Sequence, residues 1–472
     1  RIESRGLGDV YKRQTKHHYA FLRGQLSTIF DKLYLDSMCG GRERRGTTMA
    51  THVLRAVMEI GRTRGQTAIL ALFDLKNAYY EVVREFVLPM GTDDDTTKDK
   101  LDTYGIPAPL QGAVELLLQY PAISAPNVPP HIVSQLVQAH LNTWFQVKEI
   151  PEVARPGSGV RPGTSVADAA FGAMYAKTLG LIHYRMYEEN VLINLADYEG
   201  ASVLVKERPD DIPSADTTYA DDSGFFTLTS DNDEVVDTTQ RLVRAIHGGI
   251  KTYALTPSYD PGKSQILLCV NGPNKRAVKH HVLHELNGKI DIPDTEVTIG
   301  VTTLAKHLGT MLDSEERLGP EIKYRQQQTS QAATPLRHSL YNYRQIEDKQ
   351  HIMTADSLAK SRLLYNAETW PTGTVKDKET LNATYMRLYR DALGIHGHEQ
   401  KDKRITDQQI LTKADRLGID YVLRRQRLHY FHRLVQHGPH QLHVMLDILW
   451  NDKNTWIDMI RADFDWLQQY LS

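Results

Sequence analysis

Residues 217–229 read Thr-Thr-Tyr-Ala-Asp-Asp-Ser-Gly-Phe-Phe-Thr-Leu-Thr, and this stretch decides how the rest of the chain is interpreted. Two short runs rich in Thr, Tyr and Phe flank a tight polar centre, which is the pattern of a β-hairpin. The centre carries two adjacent carboxylates, Asp221 and Asp222. Because neighbouring acids repel each other, a fold that aims both into one site needs a cation there, and hard oxygen ligands suit Mg²⁺. On this segment alone, a solvated Asp-Asp-Ser-Gly turn is the better interpretation.

A second acidic strand end lies far upstream. Residues Ala68–Phe73 form a continuous apolar run of strand length, which is typical of a strand buried on both faces, and the run ends at Asp74. Helical spacing resumes after it, so Asp74 sits at a sheet edge, where α/β layers place ligands. Asp74 is also a good N-cap for the following helix, and the two roles are compatible.

Composition bounds the possibilities. The chain has 472 residues, of which 41% are hydrophobic and 24% are charged, so two or three subdomains of an ordinary globular protein are expected. Lys plus Arg is 56 against 58 for Asp plus Glu, so any nucleic-acid surface must be local. The cysteines, Cys39 and Cys269, are too few for a disulfide framework or a cysteine-ligated zinc site, which favours a reducing compartment. No apolar run is long enough to span a bilayer.

The N-terminal part shows two helical patterns joined by a basic loop. Residues Arg1–Gln14 show no periodicity, and Gly6–Gln14 resembles translated adapter sequence, so we exclude 1–14 and expect the chain to be a fragment of a longer protein. Helices are predicted at Thr15–Leu35 and Thr48–Arg62. The Gly-flanked arginines of Met38–Thr48 are compatible with phosphate binding and, equally, with a plain solvated surface.

The middle of the chain holds a proline-broken stretch and a loop followed by a helix. Between Gly91 and Ile150 we expect a helical insertion, with a helix at Ile132–His140 and no chemistry. From Val153 to Tyr175 glycines and prolines form a loop, and a helix of small residues begins after Gly163. Small residues permit close approach to a base pair or to another helix, and both explanations remain open.

Taken together, these segments resemble a known family. Asp74-Leu-Lys-Asn-Ala-Tyr79, Gly159-Val-Arg-Pro-Gly163 and Tyr219-Ala-Asp-Asp222 occur in the order of motifs A, B and C of reverse transcriptases, most like those of non-LTR (LINE-like) retrotransposons. Gly262-Lys263-Ser264 resembles motif D, and His307-Leu308-Gly309 resembles motif E. The resemblance covers most of the chain from about residue 15 onward.

The resemblance implies an α+β right-hand polymerase. Its antiparallel-sheet palm would carry the acidic site, with partial helical fingers, a helical thumb and a C-terminal extension. The implied divisions are a non-native or disordered end at 1–14, partial fingers at 15–66, a palm at 67–310 with a helical insertion at about 91–150, a thumb with connecting helices at 311–400, and a helical extension at 401–472.

It also implies RNA-directed DNA polymerase activity, with two Mg²⁺ ions, or Mn²⁺ in their place, at Asp74 and Asp221. Such ions lie about 3.5–4 Å apart, activate the primer 3'-hydroxyl and stabilise the leaving pyrophosphate. Asp222 would be a weaker third ligand, and Lys263 would assist the departing pyrophosphate, unless it is one exposed lysine after a turn.

The remaining implied site residues contact nucleotide or nucleic acid. The nucleotide-binding set is Leu75, Tyr79, Arg161 and Gly163, and the primer- and template-binding set is Tyr219, Leu308, Gly309, Arg424 and Arg425. Tyr79 holds the steric-gate position, which favours DNA synthesis, although core packing explains the ring as well. Basic and aromatic residues interleave at 424–433, a pattern that fits a local surface for a nucleic-acid backbone, and an ordinary amphipathic helix has the same pattern. The histidines at 280, 281 and 284 are interpreted as surface residues.

Some features depart from the family. Pro162 stands where motif B has Gln, Ala167-Asp168 replaces the usual Ser-Pro, and the basic finger hairpin would lie upstream of Thr15. The implied partners are an RNA template, a DNA primer and dNTPs, with no membrane and an intracellular, nuclear location. The alternatives are a catalytically weak or inactive nucleic-acid-binding remnant, a palm-type RNA-dependent RNA polymerase and, least favoured, a nucleotide cyclase.

Overall fold

The computed structural model describes residues 16–26, 32–90, 112, 114–115, 118–124, 128–141, 145–146, 153–154, 158–160, 166–343, 345–395 and 405–471. In these ranges the chain is a mixed α/β protein with a mainly antiparallel sheet, which confirms the mixed fold class expected. The predicted non-native end at 1–14 lies outside them, as does most of the predicted insertion, of which the helix Pro130–His140 is described.

Residues 16–26 are helical, and the main elements follow in chain order. The strands are β1 (Thr67–Phe73), β2 (Leu75–Lys76), β3 (Phe145–Gln146), β4 (Val153–Ala154), β5 (Ile193–Asn194), β6 (Pro213–Ser214), β7 (Asp216–Tyr219), β8 (Asp222–Thr229), β9 (Thr256–Pro257), β10 (Gln265–Cys269), β11 (Lys289–Asp291), β12 (Thr298–Thr302), β13 (Leu304–His307) and β14 (Thr310–Asp313). The helices are α1 (Thr47–Arg64), α2 (Ala78–Glu81), α3 (Arg84–Val87), α4 (Pro130–His140), α5 (Ala167–Glu188), α6 (Val235–Thr252), α7 (Lys275–His280), α8 (Gly319–Ser339), α9 (Asp348–Ala355), α10 (Val375–Ala392), α11 (Asp407–Ala414), α12 (Ile419–His437), α13 (His440–Ile448) and α14 (Trp456–Leu471).

The main sheet has six strands in the order β11-β12-β10-β1-β8-β7. Neighbouring strands are antiparallel, except that β10 and β12 are parallel. Strand β1 lies between β10 and β8, and all seven of its residues are buried. The prediction that residues 68–73 form a strand buried on both faces is therefore confirmed.

Side chains of β1 alternate between two cores, as strand geometry requires. The odd-numbered positions from Ile69 to Phe73 pack with α5 and α6, whereas the even-numbered positions from Ala68 to Leu72 pack with α1, α13 and α14. Each face of the sheet is thus covered by helices, and this holds the end of β1 at a fixed place relative to the rest of the site.

Helix α1 confirms the predicted helix at 48–62 but is more deeply buried than an amphipathic pattern indicates. Every residue from Thr48 to Gly61 is buried, because the sheet covers one side of the helix and α13 covers the other. Its polar side chains have internal partners, as burial demands: His52 Nδ1 lies 3.0 Å from the Tyr430 hydroxyl, and Arg55 donates to the Thr369 carbonyl.

A third core belongs to the C-terminal half. Helices α8, α9, α10 and α11 build it. Helices α13 and α14, from the segment expected as an extension, instead contribute to the second core beside α1. Among the described residues, no helix combines the length and apolar character needed to cross a bilayer.

Candidate active site

The two acidic segments singled out in the sequence lie side by side at one edge of the sheet. Strands β1 and β8 pair through Phe73 and Ser223, so Asp74 follows β1 where Asp222 begins β8. Strands β7 and β8 form the predicted hairpin, and Tyr219 pairs with Asp222 across its turn. The turn consists of Ala220 and Asp221, with Ala220 at a φ of 59°, a conformation that non-glycine residues adopt at a cost.

The charges of neighbouring acids act on both carboxylates of the hairpin turn. Partial burial, followed by the charges of Asp221 and Asp74, raises the pKa of Asp222 to about 6, although its side chain is exposed to solvent on one side. Burial and the charge of Asp74 also raise the pKa of Asp221. Like charges held together destabilise one another's ionised forms, so this cluster favours a bound cation.

Lys263 supplies a cation at this cluster. Its Nζ lies 2.6 Å from Asp74 Oδ2, and the pair is partly open to solvent. The hydrogen bond to Asp74 and the Asp74 charge raise the pKa of Lys263, so the ammonium stays protonated near neutral pH. The sequence placed Lys263 in the site, and the structure brings it to the first of the two acidic strand ends.

Two serines that sequence reasoning gave no role hold the backbone of Asp74. The Asp74 amide donates to Ser264 Oγ at 3.1 Å, and the Ser258 amide donates to the Asp74 carbonyl at 2.8 Å. Both serines are buried. Ser264 adjoins Lys263, so the segment that carries the lysine also fixes the end of β1. The sequence shows that Lys263 and Ser264 are adjacent, but it does not show that both contact Asp74.

The donor chemistry of the site suits a hard divalent cation. Three carboxylates at rigid strand ends offer the oxygen ligands that Mg²⁺ and Mn²⁺ take. As they stand, however, no three His, Cys, Asp or Glu side chains in the described part of the chain are grouped closely enough to hold a metal ion together. Asp74 is instead paired with Lys263.

Tyr79 lies beside the acids and is half-buried. Its ring packs against Phe171 of α5 with centroids 4.9 Å apart, and its hydroxyl donates to Asp168 Oδ1 at 3.4 Å. Burial, with the charges of Asp168 and Asp221, raises the pKa of Tyr79. Asp168, noted in the sequence as a departure from motif B, thus lies within reach of the site.

The small residues of α5 have a packing role at one position. A Cβ on Gly172 would lie 2.2 Å from the Tyr34 hydroxyl, so this glycine admits the tyrosine ring. At Gly180 no atom lies within 4 Å of such a Cβ. Close packing with Tyr34 accounts for Gly172 without a ligand.

The loop before α1 braces the hairpin. The Cys39 amide donates to the Thr218 carbonyl at 2.7 Å, and the Thr218 amide donates to the Ser37 carbonyl at 3.2 Å. A Cβ on Gly40 would lie 2.4 Å from the Ala220 nitrogen, so only glycine permits this approach. This contact gives the Gly-Gly-Arg stretch a structural purpose that its sequence does not reveal.

The arginines of the same loop are engaged within the protein. Arg45 pairs with Asp36 at 2.8 Å and donates to the His437 carbonyl, whereas Arg42 donates to the Tyr34 carbonyl at 2.8 Å. These contacts join the loop to the end of α12. They account for Arg42 and Arg45 without a phosphate.

The residues implied for primer binding lie in two turns. Tyr219 is partly buried against the second core, next to Ala220. Leu308 and Gly309 form the turn between β13 and β14, with φ values of 46° and 76°. The Tyr365 hydroxyl donates to the Leu308 carbonyl at 3.0 Å, so this turn is fixed to the segment between α9 and α10.

The two arginines expected to bind nucleic acid differ in their surroundings. Arg424 pairs with the buried carboxylate of Asp463 at 2.8 Å and lies over the Trp466 ring, so its charge is already partnered. Arg425 is exposed and lines a groove of about 570 Å³ between α12 and the third core. This groove is formed by residues other than the acidic cluster.

The other predicted site residues are accounted for as follows. Arg161 and Gly163 lie outside the described residues, as does Pro162. The Leu75 side chain is buried in the first core, which leaves only its backbone for nucleotide contact. The histidines are on the surface, as interpreted, where His280 and His281 both bond to Glu285.

Comparison with known proteins adds no assignment. No protein-family model matches this chain, and no curated protein sequence matches it.

Proposed function

We propose that this chain is an RNA-directed DNA polymerase of the kind encoded by non-LTR retrotransposons, with the β1–β8 sheet edge as its palm active site. One observation carries the proposal: Asp74 and the Asp221–Asp222 turn, remote in sequence, adjoin at the ends of paired strands beside Lys263. A bare solvated turn does not require a second acidic strand end at its side. The order of the motifs in the sequence supports the same assignment.

In this proposal Asp74, Asp221 and Asp222 would hold Mg²⁺ or Mn²⁺, which supply electrostatic activation of the primer hydroxyl and stabilisation of the leaving pyrophosphate. The protein need form no bond itself, so its part is positioning and electrostatics. Lys263 would stabilise the departing pyrophosphate through its charge or donate a proton to it. Tyr79 would lie under the sugar and exclude a 2'-hydroxyl.

Primer extension tests the proposal. We expect the parent chain to extend oligo(dT) on poly(rA) with dTTP in Mg²⁺ or Mn²⁺. Asp221→Asn should lower the rate by at least about a thousandfold, because it removes a charged ligand from the reacting centre. Asp231→Asn is the matched control: Asp231 follows the other end of β8, is exposed, and accepts one backbone hydrogen bond that asparagine can also accept.

The outcomes separate the candidate functions. Primer extension by Asp221→Asn at the parent rate would contradict the assignment of Asp221 as a metal ligand. Binding of the RNA/DNA hybrid without any extension would favour the non-catalytic remnant. Preferential use of UTP over dTTP would favour an RNA-dependent RNA polymerase.

A further inference from the structure

A chain of buried side chains joins helix α5 to the acidic hairpin. The Tyr175 hydroxyl lies 2.8 Å from Ser223 Oγ, which lies 3.1 Å from Thr218 Oγ1. Thr218 Oγ1 donates to Asp216 Oδ2 at 2.8 Å, and His183 Nε2 lies 2.6 Å from Asp216 Oδ1. Apart from His183, every member is fully buried. None of these residues belongs to the acidic cluster, but Ser223 directly follows Asp222.

The direction of each hydrogen bond is determined by the carboxylate. The oxygens of the Asp216 carboxylate only accept hydrogen bonds, so Thr218 donates its single hydroxyl proton to Asp216 and must accept from Ser223. Ser223 has then used its proton and accepts from Tyr175. Burial raises the pKa of Tyr175, so the phenol stays protonated and able to donate. The chain therefore has one consistent polarity, and neighbouring bonds in such a chain strengthen one another.

The chain holds the hairpin at two separate points. Tyr175 and His183 are both on α5, about two helical turns apart. Tyr175 contacts Ser223 beside the acidic turn, and His183 contacts Asp216 at the start of β7. Since Thr218 and Ser223 pair directly across the hairpin, the chain crosses both strands. Rotation or sliding of the hairpin against α5 would break several of these buried bonds together.

We infer that Tyr175, Ser223, Thr218, Asp216 and His183 form a positioning device that fixes the Asp221–Asp222 turn relative to α5. Helix α5 also carries Phe171, on which Tyr79 packs. The device thus sets the carboxylates and the sugar-contacting ring in one frame. The inference rests on the proposed function for its catalytic consequence, but the structural coupling can be measured without substrate.

The test uses Tyr175→Phe and Ser223→Ala in the full chain. Each removes one link and no group that contacts substrate. Thr178→Val is the matched control, because Thr178 is a buried hydroxyl on the same helix whose bond goes to the Met174 carbonyl. The readouts are kcat and KM for dTTP on poly(rA)/oligo(dT), the thermal midpoint, and amide hydrogen exchange of the peptide covering residues 219–222.

We expect each variant to lower kcat about tenfold with KM changed less than about twofold, because misplaced ligands slow the chemical step more than they weaken binding. Exchange at 219–222 should accelerate, and the double variant should be no worse than the poorer single one, since both break the same chain. Thr178→Val should match the parent in all three readouts.

The inference is overturned if amide exchange at 219–222 is unchanged in both Tyr175→Phe and Ser223→Ala. It is also overturned if Thr178→Val lowers kcat and accelerates exchange to the same extent. If the parent itself does not extend a primer, the proposed function fails. The exchange measurement still decides whether these hydrogen bonds hold the Asp221–Asp222 turn in place.

Discussion

At the scale of single residues, Tyr79 has the most specific predicted effect. It adjoins the acids, packs on Phe171 and donates to Asp168, so its ring is held in place. Tyr79→Val should raise the kcat/KM ratio of ribonucleotide over deoxyribonucleotide by at least about tenfold, because the excluded volume disappears. Tyr80→Val is the control, since Tyr80 is 64% exposed. An unchanged sugar preference in Tyr79→Val would remove the gate from the mechanism.

Glu59 is predicted to make stability depend on pH. Burial and the nearby Glu316 raise its pKa from 4.5 to about 8, and its carboxyl accepts from the Trp456 amide. The folded state therefore binds a proton that the unfolded state releases above pH 4.5, so stability is greatest at low pH and is lost as pH rises towards 8.

Glu59→Gln keeps the acceptor without the charge. Relative to the parent, this variant should gain stability between pH 6 and pH 9 in urea unfolding. If the difference between the two proteins is the same at both pH values, the carboxyl does not titrate in the folded state.

Residue types at the site could be predicted from the sequence, but their companions could not. Asp74 and Asp221 are identifiable because an acid at the end of a buried strand is chemically unusual. Ser264 and Asp168 are ordinary turn and helix residues until the fold brings them to Asp74 and Tyr79. For Arg424, the basic residues around it predict a binding surface, but the structure shows that its charge is paired with Asp463.

At the scale of elements, the contact between the Gly40 loop and the hairpin turn is tight enough to test. Gly40→Ala should lower the free energy of unfolding by about 1–3 kcal/mol, because its Cβ would meet backbone rather than a movable side chain. It should also lower polymerase activity by displacing Ala220. Gly300→Ala, in β12 with no atom within 4 Å of the new Cβ, should be neutral or slightly stabilising. Equal unfolding midpoints for the two variants would contradict the close approach.

Some helix and strand boundaries could be predicted from the sequence. Helix α10 begins at Val375, where Thr374 and Asp377 form a capping box whose Thr-x-x-Asp pattern is present in the sequence. The burial of every residue from Thr48 to Gly61 in α1 could not be predicted from the sequence. One side of α1 is buried by α13, which is distant in sequence, and no pattern within α1 indicates that contact.

At the scale of the whole molecule, the C-terminal helices belong to the body of the protein. Asp447 of α13 is fully buried and accepts hydrogen bonds from the amides of Val203, Leu204 and Val205. Asp447→Ala should lower the free energy of unfolding by about 2–4 kcal/mol, because three backbone amides lose a buried charged acceptor. Asp465→Ala, on the exposed side of α14, should change it by less than about 0.5 kcal/mol. Urea unfolding checks both values, and a parent-like Asp447→Ala would show that α13 is peripheral.

We propose that Asp74 and Asp221 share bound metal. Mn²⁺ titration of the protein without nucleotide, followed by electron paramagnetic resonance, measures this binding, with Asp231→Asn as the control. Asp74→Asn and Asp221→Asn should each lose the tightly bound Mn²⁺ that the parent and Asp231→Asn retain. Parent-like Mn²⁺ binding by either active-site variant would contradict it.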